Sequence, residues 1–280
     1  METLRTEAAR GSSRPSPASG PLLQLKLCHV RYGLVPALRG VSLDVGEGEM
    51  VALLGANGAG KSTTLRAISG LVEPHSGQIL FGGQRIDSLS APQVVKRGIA
   101  HLPEGRELFP ALTVRENLRY GYWPRRKDRH GFKEQLDQIY EVFPRLSERS
   151  GQKASTLSGG EQQMLAVGMA LMSKPKLLLV DELSLGLAPK VVADLYEVLG
   201  RVNATGTAIL LVEQFVLLAL ANTSRAYVLS KGEVALTRPS SELKDDPALL
   251  ESYLGGAAVE HEQEPTAPRR RVSPLVEPAL

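Results

Sequence analysis

Two hydrophobic patterns divide the chain. In "LLQLKL" at 22–27 and "VSLDV" at 41–45 apolar and polar positions alternate, the two-residue period of strands with one buried face, which predicts antiparallel edge elements. By contrast, "MVALLG" at 50–55, "KLLLVDE" at 176–182 and "TAILLVE" at 207–213 are short, continuously apolar runs. Such runs suit parallel strands covered on both faces and predict a central parallel sheet. "AYVLSKGEVAL" at 226–236 reads as a hairpin turning at Lys231-Gly232. From about 88 to 164 the texture changes to helical spacing, as at Leu136, Ile139, Tyr140 and Phe143, with no comparable apolar run. The expected fold is α/β: a central, mainly parallel sheet, an antiparallel N-terminal β subdomain and an inserted helical subdomain.

Composition narrows this picture only slightly. A chain of 280 residues with 42% hydrophobic and 22% charged residues suits one large globular α/β domain. Residues 1–21 and 257–280 are rich in Ser, Pro, Ala and Gly or in charge and Pro, so a disordered leader and tail are expected around a domain at 22–256. The balance of 33 basic against 30 acidic residues, with Arg269–Arg271 as its longest basic run, gives no ground for a nucleic-acid partner. A single cysteine, Cys28, excludes an internal disulfide framework. The most apolar stretch, 208–221, is too short to cross a bilayer and carries Glu213 and Gln214.

The candidate chemistry begins after "MVALLG". Gly55, Gly60, Lys61 and Ser62 fill the pattern G-x-x-x-x-G-K-[ST], in which backbone N–H groups cradle phosphates, the lysine reaches the β and γ phosphates and the serine ligates Mg²⁺. A helix is expected from Lys61, with Gly70 as its stop, and its dipole favours the same anion. Asn57 stands where a dinucleotide-binding loop needs its second glycine, which disfavours that reading. At the end of "LLLVDE", Asp181 and Glu182 reach one site only if the strand ends and bends there, since successive side chains point to opposite faces. Asp181 then suits Mg²⁺, and Glu182 suits polarising an attacking water. The competing structural readings are a glycine-rich turn and two solvated acids.

A second anion-seeking feature is "LSGGEQQ" at 157–163. Ser158 and Glu161 have capping-box spacing. Gly159 and Gly160 occupy a first turn where each glycine costs roughly 1 kcal/mol relative to alanine in a helix interior. Missing side chains would let a phosphate reach the helix N-terminus. The site therefore either binds another anion or serves a nucleotide held by another chain.

Across about residues 22–256 these motifs, with "SLGLAP" at 184–189, resemble the ATP-binding cassette ATPases, a family of P-loop NTPase cassettes. The resemblance implies a head-to-tail dimer with itself or a sister ATP-binding subunit, in which Ser158, Gly159 and Gly160 contact the partner's ATP. It implies ATP held by Gly55, Asn57, Gly58, Gly60, Lys61, Ser62 and Thr63, with Tyr32 stacked on adenine. Mg²⁺ falls to Ser62, Asp181 and Glu104, and catalysis to Glu182, Gln214 and Glu104. More narrowly, "LPEGRELFPALTVRENL" (102–118), "DELSLGLAPKVV" (181–192) and "LVEQ" (211–214) resemble the second ATPase subunit of branched-chain amino-acid importers, the LivF type.

That type implies two transmembrane permease subunits, a solute-binding protein beyond them, and a place on the cytoplasmic face of the cell membrane. The groove beside Glu104 would receive a permease coupling helix, with some of the apolar surface of Leu108, Phe109 and Leu112 exposed; the competing reading makes these residues core of the helical insertion. Urea-importer ATPases are near relatives. A soluble cassette of DNA repair or translation is disfavoured, and a regulatory cassette that barely hydrolyses ATP is the rival from another class. Three positions depart from the wider family pattern: Glu104 replaces a glutamine, Gln214 a histidine, and Leu183 a proline. Without that proline the loop toward Ser184 is expected to loosen.

Overall fold

The computed structural model describes residues 20–128 and 130–246. The expected leader, the expected tail and the end of the expected domain from 247 lie outside them, apart from residues 20 and 21.

The chain opens with β1 (Leu23–Tyr32) and β2 (Val35–Val45), then β3 (Met50–Gly55) and α1 (Lys61–Ile68). There follow β4 (Ser76–Phe81), β5 (Gln84–Arg85), α2 (Ala91–Arg97), β6 (Ile99–Leu102) and α3 (Val114–Gly121). After α4 (Gly131–Val142), α5 (Pro144–Glu148) and α6 (Gly159–Leu171) come β7 (Leu177–Asp181), α7 (Pro189–Ala204) and β8 (Ala208–Val212). The described chain closes with α8 (Val216–Asn222), β9 (Arg225–Ser230), β10 (Glu233–Pro239) and α9 (Ser240–Lys244).

β2, β1, β4 and β5 form an antiparallel sheet of four strands. The other sheet has six strands in the order β10-β9-β3-β8-β7-β6, parallel throughout except at the β10–β9 hairpin. The continuous apolar runs are explained by its two covered faces. Val51, Leu53, Leu177 and Leu179 enter a core shared with α1 and the antiparallel sheet. Their neighbours Ala52, Leu54, Leu178 and Val180 enter a second core with the helices of 114–199. Each side chain along such a strand is thus buried, whichever way it points.

Two expectations change. The alternation of β1 breaks at Leu27, which has φ +48° and is 65% exposed. The register to both neighbours shifts there, as at a β-bulge. Gly77 admits the bulge, because a Cβ at that position would lie 2.4 Å from the Leu27 carbonyl oxygen. The stretch 88–164 is not purely helical either: β6 lies within it and pairs in parallel with β7. Its four residues, "IAHL", are too few, and too polar at His101, to stand out as a buried run.

Among the described residues no helix is long and apolar enough to cross a membrane.

Candidate active site

β3 is buried between β8 and β9, so the loop that follows it is held at the carboxyl edge of the parallel strands, a place where open α/β sheets bind ligands. Gly60 caps α1 with φ +110°, and a Cβ there would meet Leu38 Cδ2 at 2.8 Å. Glycine is needed on both counts. The Thr64 hydroxyl donates to the Gly60 carbonyl at 2.9 Å, fixing the first turn. Lys61 is 6% exposed, and its ammonium donates to the carbonyls of Gly55 (2.9 Å) and Ala56 (3.2 Å). It lies along its own loop, facing a cavity of about 360 Å³.

Asn57, Gly58, Gly60, Lys61, Ser62 and Thr63 line that cavity, opposite Glu104 and Glu182. Ala37 of β2 also contributes; nothing in its sequence context points to a site. Glu104 arrives from the segment after β6, and Glu182 from the residue after β7. The strand does bend where the site requires it: Glu182 has φ +48°, while Asp181 remains in β7 and is 4% exposed.

The electrostatics follow from this crowding. Burial pushes the Asp181 carboxyl above its usual range and the nearby Glu104 charge adds to the effect, while the Ser62 hydroxyl and Lys61 oppose it. Burial likewise raises Glu182, against the pull of Lys61 and with Glu104 and Asp181 adding like charge. Burial lowers the pKa of Lys61, and Glu182 and Asp181 resist that. The site thus holds more carboxylate than one ammonium balances. Asp181 Oδ1 is buried without a hydrogen-bond partner. An orphaned hard oxygen beside a serine hydroxyl suits a small divalent cation that keeps most of its ligands as water and phosphate. Among the described residues no cluster of three or more His, Cys, Asp or Glu could hold a metal unaided, which that mode of binding does not require.

"LSGGEQQ" sits elsewhere. Ser158 caps α6 through the expected box: its N–H donates to Glu161 Oε2 at 2.9 Å and its Oγ accepts from the Glu161 N–H at 3.3 Å. Arg149 pairs with the same carboxylate at 2.8 Å. Ser158 is exposed, and none of Ser158, Gly159 and Gly160 lines the phosphate-loop cavity. Each glycine also has a close neighbour within the chain. A Cβ on Gly159 would lie 2.9 Å from the Arg106 guanidinium, and one on Gly160 would lie 2.9 Å from Val191 Cγ1.

Tyr32 ends β1 at 47% exposure and Gln214 is also exposed after β8; neither lines the cavity. The loop after Glu182 is not loose. Leu183 is 1% and Ser184 2% exposed, and Ser184 is hydrogen-bonded to Glu213, a residue that sequence reasoning passed over. A carboxylate closing the apolar run "AILLVE" was the available signal.

An apolar groove of about 710 Å³ adjoins the segment carrying Glu104. Phe109 (44% exposed), Tyr120 (52%) and Trp123 (61%) line it, with the Phe109 and Tyr120 rings 4.7 Å apart. Leu108 instead packs against the helical core.

Comparison with known proteins agrees with this geometry. The family model described as "ABC transporter" matches residues 38–184. The chain is 46% identical over 225 residues to the high-affinity branched-chain amino acid transport ATP-binding protein BraG of Pseudomonas aeruginosa, covering 80% of this chain and 96% of that one. It is 39% identical to a probable branched-chain amino acid transport ATP-binding protein LivF of Archaeoglobus fulgidus, over 72% of this chain and 86% of that one. Among solved structures, the dimeric post-hydrolysis state of the ATP-binding cassette MJ0796 bound to ADP and Pi superposes with a TM-score of 0.70 at 25% identity, covering 78% of this chain and 98% of that one.

Proposed function

The chain belongs to the ATP-binding cassette family of ABC transporters and is an ATPase, and from that premise we propose that its hydrolysis drives import of branched-chain amino acids. The observation that carries the choice of solute is the 46% identity to BraG over 96% of that protein's length.

In this reading Gly55, Asn57, Gly58, Gly60 and Thr63 surround the phosphates of ATP, and Lys61 swings from its loop carbonyls to the β and γ oxygens. Ser62 and Asp181 would hold Mg²⁺, with Glu104, which lines the same cavity, as a further carboxylate for it. When bound, the ion offsets phosphate charge and balances the surplus carboxylates. Glu182, its pKa raised by burial, accepts a proton from the attacking water as general base. Gln214 donates its amide N–H to the γ-phosphate or that water, a role that needs a donor and no titration. Tyr32 meets adenine.

Ser158 is exposed at the start of α6, the two glycines after it are partly exposed, and none of the three lines this chain's own cavity, which supports their acting on ATP held by a second cassette, either a sister subunit or another copy of this chain. The dimeric MJ0796 cassette offers a template for such a pair. The exposed aromatic groove supports docking of a cytoplasmic helix from one of the two permease subunits, which would hold the chain on the cytoplasmic face of the membrane. A solute-binding protein would act only through those subunits.

The test is reconstitution of the chain with the permease, sister ATPase and binding-protein genes beside its own. ATP-dependent accumulation of labelled leucine or valine is the expected result. Accumulation of urea alone would replace the solute assignment while leaving the ATPase in place.

A further inference from the structure

Glu213 is a charged residue in the interior, 1% exposed, with no part in the chemistry above. Taking a carboxylate out of water costs several kcal/mol unless hydrogen bonds replace the lost hydration. Here they do, and they come from two different loops. The Ser184 N–H donates to Oε1 at 3.2 Å, the Ser184 hydroxyl to Oε2 at 2.5 Å, and the Gln214 N–H to Oε2 at 3.3 Å. One residue earlier, the Val212 carbonyl accepts the N–H of Glu182 at 2.9 Å. The backbone from Glu182 to Ser184 is therefore stapled to the end of β8, the strand that leads into Gln214.

A carboxylate suits this place because its two oxygens accept from both loops at once, whereas a hydroxyl or an apolar residue would leave donors unpaired. Burial raises the Glu213 pKa, and the Ser184 and Gln214 donors counter this by favouring the charged form. The Tyr196 hydroxyl of α7 is buried against the same carboxylate without closing a well-formed hydrogen bond. With Leu183 in place of a φ-fixing proline, the loop after Glu182 owes its rigidity to these bonds and to the burial of Leu183.

We propose that Glu213 is a positioning residue for hydrolysis, holding the loop after Glu182 and the start of the Gln214 loop at one fixed separation so that both meet the same phosphate. The proposal rests on the reading of Glu182 as general base. Ångström-scale misplacement of a reacting group costs up to about a hundredfold in rate.

The test is steady-state ATPase activity of the full-length chain paired with its sister ATPase, together with ATP binding and thermal melting of the chain. Glu213→Ala should lower kcat on the order of ten- to a hundredfold, with the ATP dissociation constant held within about twofold. Ser184→Ala should lower kcat less, and the double variant should be no slower than Glu213→Ala, since coupled groups are not additive. Ser184→Thr, which keeps the hydroxyl, should recover most of the loss. Additive losses, equal losses of binding and turnover, or wild-type kcat in Glu213→Ala would overturn the positioning role. Should Glu213→Ala fail to fold, Ser184→Ala decides alone, and wild-type turnover in it overturns the proposal. Absence of hydrolysis by the wild-type chain both alone and paired with the sister ATPase would count against the ATPase reading instead.

Discussion

Glu182 holds a backbone angle, φ +48°, that ordinary residues avoid at a cost of about 1–2 kcal/mol. A proline at 183 would have pushed its predecessor toward extended backbone. Leucine there leaves Glu182 free to turn, and burial of Leu183 keeps the turn in place. If Glu182 is the general base, Glu182→Gln should bind ATP normally and lose at least about a hundredfold in turnover. Near-normal turnover would remove it from the mechanism. The same variant tests the electrostatics. A carboxyl whose pKa is raised by folding binds its proton more tightly in the folded state, so it subtracts stability as pH rises from the ordinary glutamate value through the raised one. Nucleotide-free Glu182→Gln should therefore melt at a higher temperature than the wild type near pH 7, and the gap should close below about pH 4. A gap that persists in acid would point to packing. The phosphate loop was legible because its chemistry lies in one local run from Gly55 to Thr63. The strain at Glu182 and the anchoring by Glu213 were not, since both depend on which strand lies alongside.

At the scale of single elements, the start of α6 shows one motif serving two needs. The capping box could be read from spacing alone because it closes within three residues. The close approaches of Arg106 and Val191 to its glycines could not, since both come from segments distant in sequence. They let the two glycines be told apart. Val191 is β-branched and stiff, so Gly160→Ala should destabilise the chain by about 1–3 kcal/mol of overpacking, less some tenths regained from the unfolded chain. Arg106 is flexible and can move aside, so Gly159→Ala should melt close to the wild type. If the glycines also face a partner's nucleotide, Gly159→Ala should still lose hydrolysis while keeping its stability. Melting curves and ATPase rates measured on both variants check this ordering, and a stable, fully active Gly159→Ala would confine its role to contact with Arg106. β6 marks the limit of pattern reading at this scale. Four residues form a strand there because β7 pairs with them, not because of their own periodicity.

On the scale of the whole molecule, the central sheet could be foreseen from its continuous apolar runs, but its strand order could not, because parallel neighbours are fixed by long-range pairing. That order sets the phosphate-loop cavity and the aromatic groove at two ends of one segment. Glu104 faces the cavity, and five residues later Phe109 faces the groove. Monomeric proteins seldom leave a contiguous apolar patch of this kind uncovered, and here Tyr120 and Trp123 extend it onto the end of α3 and the turn beyond. Because these side chains are about half exposed or more, removing them sacrifices little core. Phe109→Ser with Trp123→Ser should leave the melting temperature and the ATPase rate of the chain alone nearly unchanged. If the groove is where the permease docks, the same double variant should fail to co-purify with the permease subunits and should abolish ATP-dependent uptake. Normal assembly and uptake would place docking elsewhere on the surface. A parallel fall in the isolated ATPase rate would mean instead that the 104–109 segment transmits damage to the cavity, which Phe109→Tyr, keeping the ring, should then repair.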